Sequence, residues 1–99
     1  MTEEYEYEGK ANLFKGFEST GGKLYLTKRA LIHRPHKGNF QRGETIIALK
    51  EISDVTTRNT LLLVPNGLLV TSTDGETYKL VVEKRETWVE KINLLRKQH

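Results

Sequence analysis

The hydrophobic period of this chain changes once, near Lys84, and that change limits the folds available to it. Before this point apolar residues fall in short runs rich in β-forming residues and bounded by turn residues, which is typical of strands. After it, Trp88, Ile92 and Leu95 recur at helical spacing and would share one face of a helix. Because no helical segment separates consecutive strands, the pattern favours an antiparallel sheet over parallel βαβ units. The predicted fold class is mainly β, with one C-terminal α-helix.

Turn signals divide the first part of the chain into about seven strands. The stretch 18–22 is predicted to be a loop and Pro-Asn-Gly at 65–67 a turn, while Asp-Gly at 74–75 is the best hairpin signal in the chain. The strands are predicted at 10–17, 23–27, 30–34, 45–49, 53–58, 68–73 and 76–82, with 61–64 either continuing the fifth strand or starting another.

The length and composition predict a single small domain. We interpret residues 1–8 as a flexible acidic lead-in and 9–97 as one domain, since 99 residues suffice for one hydrophobic core. The absence of cysteine excludes disulfides, thiolate metal sites and cysteine nucleophiles. The longest apolar run, 61–64, is far shorter than the roughly 20 residues of a membrane-spanning helix. We expect a cytoplasmic protein that is at most peripheral at a membrane.

Four segments carry patterns that occur together in one known family. They are Gly-Lys-Leu-Tyr-Leu-Thr at 22–27, Ile-Ala-Leu-Lys-Glu-Ile-Ser-Asp-Val at 47–55, Thr-Ser-Thr-Asp-Gly-Glu-Thr-Tyr at 71–78 and Arg-Glu-Thr-Trp-Val-Glu-Lys-Ile at 85–92. In this order and spacing the chain resembles the GRAM domain, a member of the pleckstrin-homology-like (PH-like) superfamily. Ala48 and Glu51 stand where that family usually has Pro and Asp.

The resemblance implies a split β-barrel of two nearly orthogonal antiparallel sheets, capped by the helix. It also implies a non-enzymatic binding module without a cofactor, because domains of this group bind phosphoinositides or other anionic lipids, or dock proteins. In such folds the early loops line one open end of the barrel.

The distribution of charge indicates where a ligand of this kind would bind. The net charge is only +3, but residues 10–42 hold eight basic residues against Glu18 alone, which gives +7 there and −4 elsewhere. If the early loops line one end of the barrel, five basic side chains could converge on phosphate groups. These candidate anion-binding residues are Lys15, Lys23, Arg34, Lys37 and Arg42. Tyr25 occupies a position where a strict pleckstrin-type lipid motif has Arg, so the sequence favours generic anionic attraction over specific phosphoinositide recognition.

Phe40 lies in the middle of the loop predicted at 35–43, between Lys37 and Arg42. An exposed aromatic tip inside a basic collar would suit insertion into a membrane. The alternative is that Phe40 folds back over the barrel edge, as large aromatic residues are usually buried.

Other functions find less support in the residues. His33 and His36 have no acidic residue between Glu18 and Glu44 to join them, so no metal site is predicted, although protonation of the pair could reinforce anion binding. No serine lies in a nucleophile-elbow pattern, and no glycine-rich phosphate loop precedes a helix. Nucleic-acid binding is not favoured, because the alternation assigns the nearby apolar residues to the core. The main alternative is a protein-docking domain that uses a sheet edge or the outer helix face around Leu94.

Overall fold

The computed structural model of the chain describes residues 4–15, 18–36, 43–60 and 64–98, with only the backbone described at 59, 60, 64 and 65. Within these residues seven antiparallel strands form one curled sheet in the order β4-β3-β2-β1-β7-β6-β5. The strands are β1 (Tyr7–Lys15), β2 (Glu18–Leu26), β3 (Ala30–Pro35), β4 (Thr45–Ala48), β5 (Ile52–Thr60), β6 (Val64–Ser72) and β7 (Thr77–Val82). A 3₁₀ turn (Leu49–Glu51) joins β4 to β5, and helix α1 (Arg85–Arg96) follows β7. The architecture confirms the predicted fold class.

The alternation of residues along β1 and β2 separates a buried inner face from a more exposed outer face. Ala11 and Leu13 of β1 are buried, as are Leu24 and Leu26 of β2, while their strand neighbours point outward. Cross-strand pairing places inward residues of neighbouring strands beside each other, for example Ala11 opposite Val82. The sheet therefore curls around one core, which α1 covers.

The helix is fastened by the stripe that its sequence predicts. Trp88, Ile92 and Leu95 are buried, and the Trp88 ring meets Tyr7 edge-on, with 4.6 Å between ring centroids. Arg96 donates hydrogen bonds to the backbone carbonyls of β5 at its start, and these fix the far end of the helix. At the N-terminus of the helix, the capping residue Lys84 has a left-handed backbone with φ 55°, and its side chain makes no capping hydrogen bond.

Two segments predicted as loop or turn lie in strands instead. Residues 18–22 belong to β2 and 65–67 to β6. A Cβ atom added at Gly22 would lie 2.1 Å from the Arg34 carbonyl oxygen, and one at Gly67 would lie 2.5 Å from the Arg58 carbonyl oxygen. These glycines allow close approach of neighbouring strands, a role that composition alone does not distinguish from that of a turn.

The start of the sheet also lies earlier than the sequence suggested. Tyr7 and Glu8 belong to β1, and the Glu6 amide donates a hydrogen bond to the Leu26 carbonyl oxygen. Tyr5 packs against Tyr25, with 4.5 Å between ring centroids. The division of the chain into a lead-in and a domain at residue 9 remains a prediction, but the aromatic residues of this segment anchor it to β2.

Replacement of Trp88 by Ala should cost about 3–5 kcal/mol of unfolding free energy, because it removes the largest buried side chain and leaves a cavity. Urea unfolding followed by circular dichroism measures this loss. The matched control is Leu94→Ala on the same helix, where the side chain is 63% exposed and truncation should leave the midpoint nearly unchanged. Equal effects of the two variants would contradict the role given to Trp88.

Candidate anion-binding surface

Three basic residues stand side by side on the outer face of the sheet. Lys10 of β1 is the cross-strand partner of Lys23 in β2, and Lys23 is the partner of Arg34 in β3. Directly paired residues share a face, and neighbouring strands lie about 4.8 Å apart, so the three side chains form a continuous row. We call Lys10, Lys23 and Arg34 the basic row.

Arg34 is the fixed member of the basic row. Its guanidinium donates hydrogen bonds to the Tyr5 hydroxyl and to the Glu44 carboxylate. It also lies over two aromatic rings, 5.0 Å from the Tyr25 centroid and 5.7 Å from the Tyr5 centroid. These hydrogen bonds, the one to Tyr5 first, raise the pKa of Arg34, so its charge is permanent. Arg34 is therefore held in place by groups from the N-terminal segment, from β2 and from the residue that precedes β4.

Lys10 and Lys23 are the exposed members of the row, and neither forms an ion pair with another residue that the structure describes. Like charges directly opposite on a sheet repel each other and destabilise the pairing. Two carboxylates lie near Lys10, since Glu8 is two residues before it on the same face of β1 and Glu83 lines the same surface depression. An external anion placed over these lysines would relieve the repulsion, and the arrangement is therefore suited to bind negative charge.

Lys15 lies apart from the basic row. It follows Ala11 and Leu13 on the inward parity of β1 and reaches the open end of the curled sheet. There it lines a cavity of about 170 Å³ together with Thr20 and His33. Glu18 lines the same cavity, so this end of the sheet carries mixed charge.

The remaining sequence-derived candidates, Lys37, Phe40 and Arg42, lie outside the described residues, and their convergence with the others stays a prediction. Of the five basic candidates, the structure brings Lys23 and Arg34 together and places Lys15 elsewhere. Sequence reasoning missed Lys10 and Tyr5. Alternation with the apolar Ala11 indicates that Lys10 faces outward. The residue opposite Lys10, however, depends on the register of the hairpin. No sequence signal indicates that Tyr5 would contact Arg34.

His33 is the buried polar residue at the open end. It is 2% exposed, and its Nε2 donates a hydrogen bond to the Ala11 carbonyl oxygen at 3.0 Å. Burial lowers the pKa of His33 below the ordinary 6.5, and the hydrogen bond to Ala11 opposes this shift only in part. His33 is therefore neutral near pH 7. No group of three or more His, Cys, Asp or Glu residues that could hold a metal ion occurs in the part of the chain that the structure describes.

Solved structures resemble this fold closely. The C-terminal domain of an unknown protein from Leishmania infantum matches with a TM-score of 0.83 and 16% identity, over 95% of this chain and 84% of that one. The Slm1-PH domain in complex with phosphoserine matches with a TM-score of 0.71 and 15% identity, and the match covers 94% of this chain and 96% of that domain. This chain has a PH-like fold.

A larger protein shows the same fold as one of its parts. The linker-DH/PH domains of p115-RhoGEF match with a TM-score of 0.76 and 14% identity. The match covers 98% of this chain but only 30% of that structure. No protein-family model and no curated protein sequence matches the chain. The PH-like fold thus rests on structural similarity. Within the described residues, no helix has the length and apolar character needed to cross a membrane.

Acidification should destabilise the PH-like fold through His33. The pKa of His33 is near 6.5 in the unfolded chain and lower in the folded chain. At a pH between these two pKa values the unfolded chain therefore binds more protons than the folded chain. The free energy of unfolding should therefore fall as the pH drops below about 6.5. Urea midpoints at about pH 7.5 and about pH 5.5 measure the change.

A glutamine at position 33 keeps an amide donor for the Ala11 carbonyl but cannot gain a proton. His33→Gln should therefore show a smaller loss of stability between these pH values than the unsubstituted protein. The comparison variant is His36→Gln at an exposed position, which retains the buried His33 and removes only the neighbouring charge that helps to lower the pKa of His33, so it should keep most of the pH dependence. The same pH dependence with and without His33 would contradict this assignment.

Proposed function

We propose that this protein is a non-enzymatic binding module that attaches peripherally to anionic lipid surfaces. The observation that carries the proposal is the basic row of Lys10, Lys23 and Arg34 on the outer face of β1, β2 and β3. The row lies on a sheet surface, where several headgroups could meet it at once. Lys37 and Arg42, with Phe40 as a membrane-inserting residue, belong to the proposal as sequence-based candidates, and Lys15 adds charge at the open end.

The expected affinity is modest and depends on salt. Each Lys or Arg close to an anionic leaflet contributes about 1 kcal/mol, so Lys10 and Lys23 supply about 2 kcal/mol before any further loop residues contribute, because Arg34 is already paired with Glu44. This attraction acts over a Debye length of roughly 8–10 Å at physiological ionic strength. The protein would therefore exchange between a membrane surface and the cytoplasm rather than anchor permanently.

The row favours charge attraction over recognition of one headgroup. Arg34 already donates to Tyr5 and Glu44, which leaves Lys10 and Lys23 to meet the ligand. A lysine ammonium acts as a compact point charge and lacks the rigid fork with which arginine binds a phosphate in fixed geometry. We therefore propose a surface that responds to the density of negative charge.

Two lines of support come from outside the basic row. The Slm1-PH domain, which has the same fold, has been crystallised with phosphoserine, so this fold can hold a phosphate-bearing small molecule. The four sequence patterns at 22–27, 47–55, 71–78 and 85–92 place the chain, in our proposal, among the GRAM members of the PH-like superfamily. Both lines agree with a binding module rather than a catalyst.

Sedimentation with lipid vesicles tests the proposal. The protein should sediment with vesicles of phosphatidylcholine and roughly one-third phosphatidylserine at about 0.05 M salt, and should remain in the supernatant at about 0.5 M salt or with phosphatidylcholine alone. Absence of binding to the anionic vesicles at low salt would reject the proposal.

A matched pair of variants tests the location of the surface. Lys10→Glu with Lys23→Glu should abolish sedimentation with anionic vesicles. Lys50→Glu with Lys97→Glu changes the net charge equally at exposed positions outside the row and should retain most of the binding. Equal losses in both variants would mean that net charge alone attracts the protein. A separate Lys15→Glu variant measures the share contributed by the open end.

A further inference from the structure

The outermost strand β4 leaves one edge of the described sheet without a neighbouring strand. The Leu49 amide donates to the Arg29 carbonyl, and the register then alternates along β3, with Leu31 opposite Ile47. Hydrogen-bonded and non-hydrogen-bonded pairs alternate in an antiparallel ladder, so the amides of Ile46 and Ala48 point away from β3. β4 has no further strand beside it in the described sheet, and these amides are available to another chain.

A groove runs beside this edge. Ile46 and Ile47 form one wall, and the β6–β7 hairpin with Tyr78 forms the other, around a depression of about 110 Å³. Ile46 is 61% exposed and supplies an apolar contact at the rim. Tyr78 lies partly buried at the inner side of the groove, where it packs against the core. An extended segment along β4 would place alternate side chains over Ile46 and toward Tyr78.

The groove carries negative charge. Glu51 and Asp74 line it, and Glu76 follows Asp74 in the same hairpin. The Asp74 carboxylate accepts hydrogen bonds from the Ser72 hydroxyl and the Glu76 amide, and these lower its pKa, so it remains ionised. Burial raises the pKa of Tyr78, and the charges of Glu76, Asp74 and Glu51 raise it further. Three carboxylates thus act on one aromatic ring, an environment that favours a cation.

We propose that the free edge of β4 binds an extended segment of a partner protein that pairs with Ile46 and Ala48 and places a lysine or arginine side chain over Tyr78. The backbone amides supply hydrogen bonds, Ile46 supplies an apolar contact, and the carboxylates select a positive side chain. This groove is distinct from the basic row, which lies on the outer face of β1 to β3 and attracts the opposite charge. The inference is independent of lipid binding.

Peptide titration in the absence of lipid tests the inference. The probe is an amidated peptide of about nine residues that alternates Thr and Val and has a central Lys, and two comparison peptides have Glu or Pro at that position. Two-dimensional NMR of the labelled protein should show the largest shifts at the amides of Ile46 and Ala48 with the Lys peptide, and slower hydrogen exchange there. The Glu and Pro peptides should bind at least tenfold more weakly. Equal binding of all three peptides, or no shift at these amides up to millimolar peptide, overturns the proposal.

Variants of the protein separate edge pairing from charge. Ala48 has φ −65° and ψ 134°, so proline fits there without strain while it removes the outward amide. Ala48→Pro should keep the melting temperature and weaken the Lys peptide about tenfold. Glu51→Gln should weaken the binding of the Lys peptide several-fold, and high salt should weaken the binding to the unsubstituted protein by a similar factor.

The matched control is Glu90→Gln, an exposed carboxylate on the helix, which should bind as the unsubstituted protein does. Unchanged affinity in a folded Ala48→Pro protein overturns the edge pairing, and equal effects of Glu51→Gln and Glu90→Gln overturn the selection by charge. Should Ala48→Pro unfold, the hydrogen-exchange result at Ile46 and Ala48 in the unsubstituted protein decides the edge pairing.

Discussion

The two-residue alternation of the strands around one small core is the constraint on which this structure depends. A curled sheet of this size has a single apolar interior, so each charged residue of β1, β2 and β3 must face outward or lie at an open end. That requirement, together with the hairpin register, brings Lys10, Lys23 and Arg34 side by side. The surface charge pattern is thus a consequence of core formation as much as of the residues that carry the charge.

Much of the fold could be predicted from the sequence because the alternation and the helical stripe are local signals. Trp88, Ile92 and Leu95 occupy the face that their spacing indicates. The errors occurred where a residue acts through a distant neighbour. Composition predicts a loop at Gly22 and a turn at Gly67, yet each glycine allows a close contact with the backbone of an adjacent strand, and composition carries no information about that strand.

The candidate site was predictable only in part, for the same reason. The excess of basic residues in 10–42 indicated the right region, but the faces depend on strand parity and register. Lys15 has the inward parity of Leu13, whereas Lys23 faces outward, so a list of nearby lysines mixes two different environments. The contact of Tyr5 with Arg34 spans 29 positions of sequence and leaves no local pattern.

The junction between β7 and α1 has a consequence for engineering. Lys84 is the one non-glycine residue with positive φ in the described part of the chain, and this conformation costs a side-chain-bearing residue about 1–2 kcal/mol. The helix begins there without a side-chain cap, so its position is set by the buried stripe and by Arg96. Lys84 itself belongs to neither the basic row nor the edge of β4, although its neighbour Glu83 lines a surface depression beside Lys10. A stabilised scaffold could therefore be built at this single joint while both charged surfaces stay as they are.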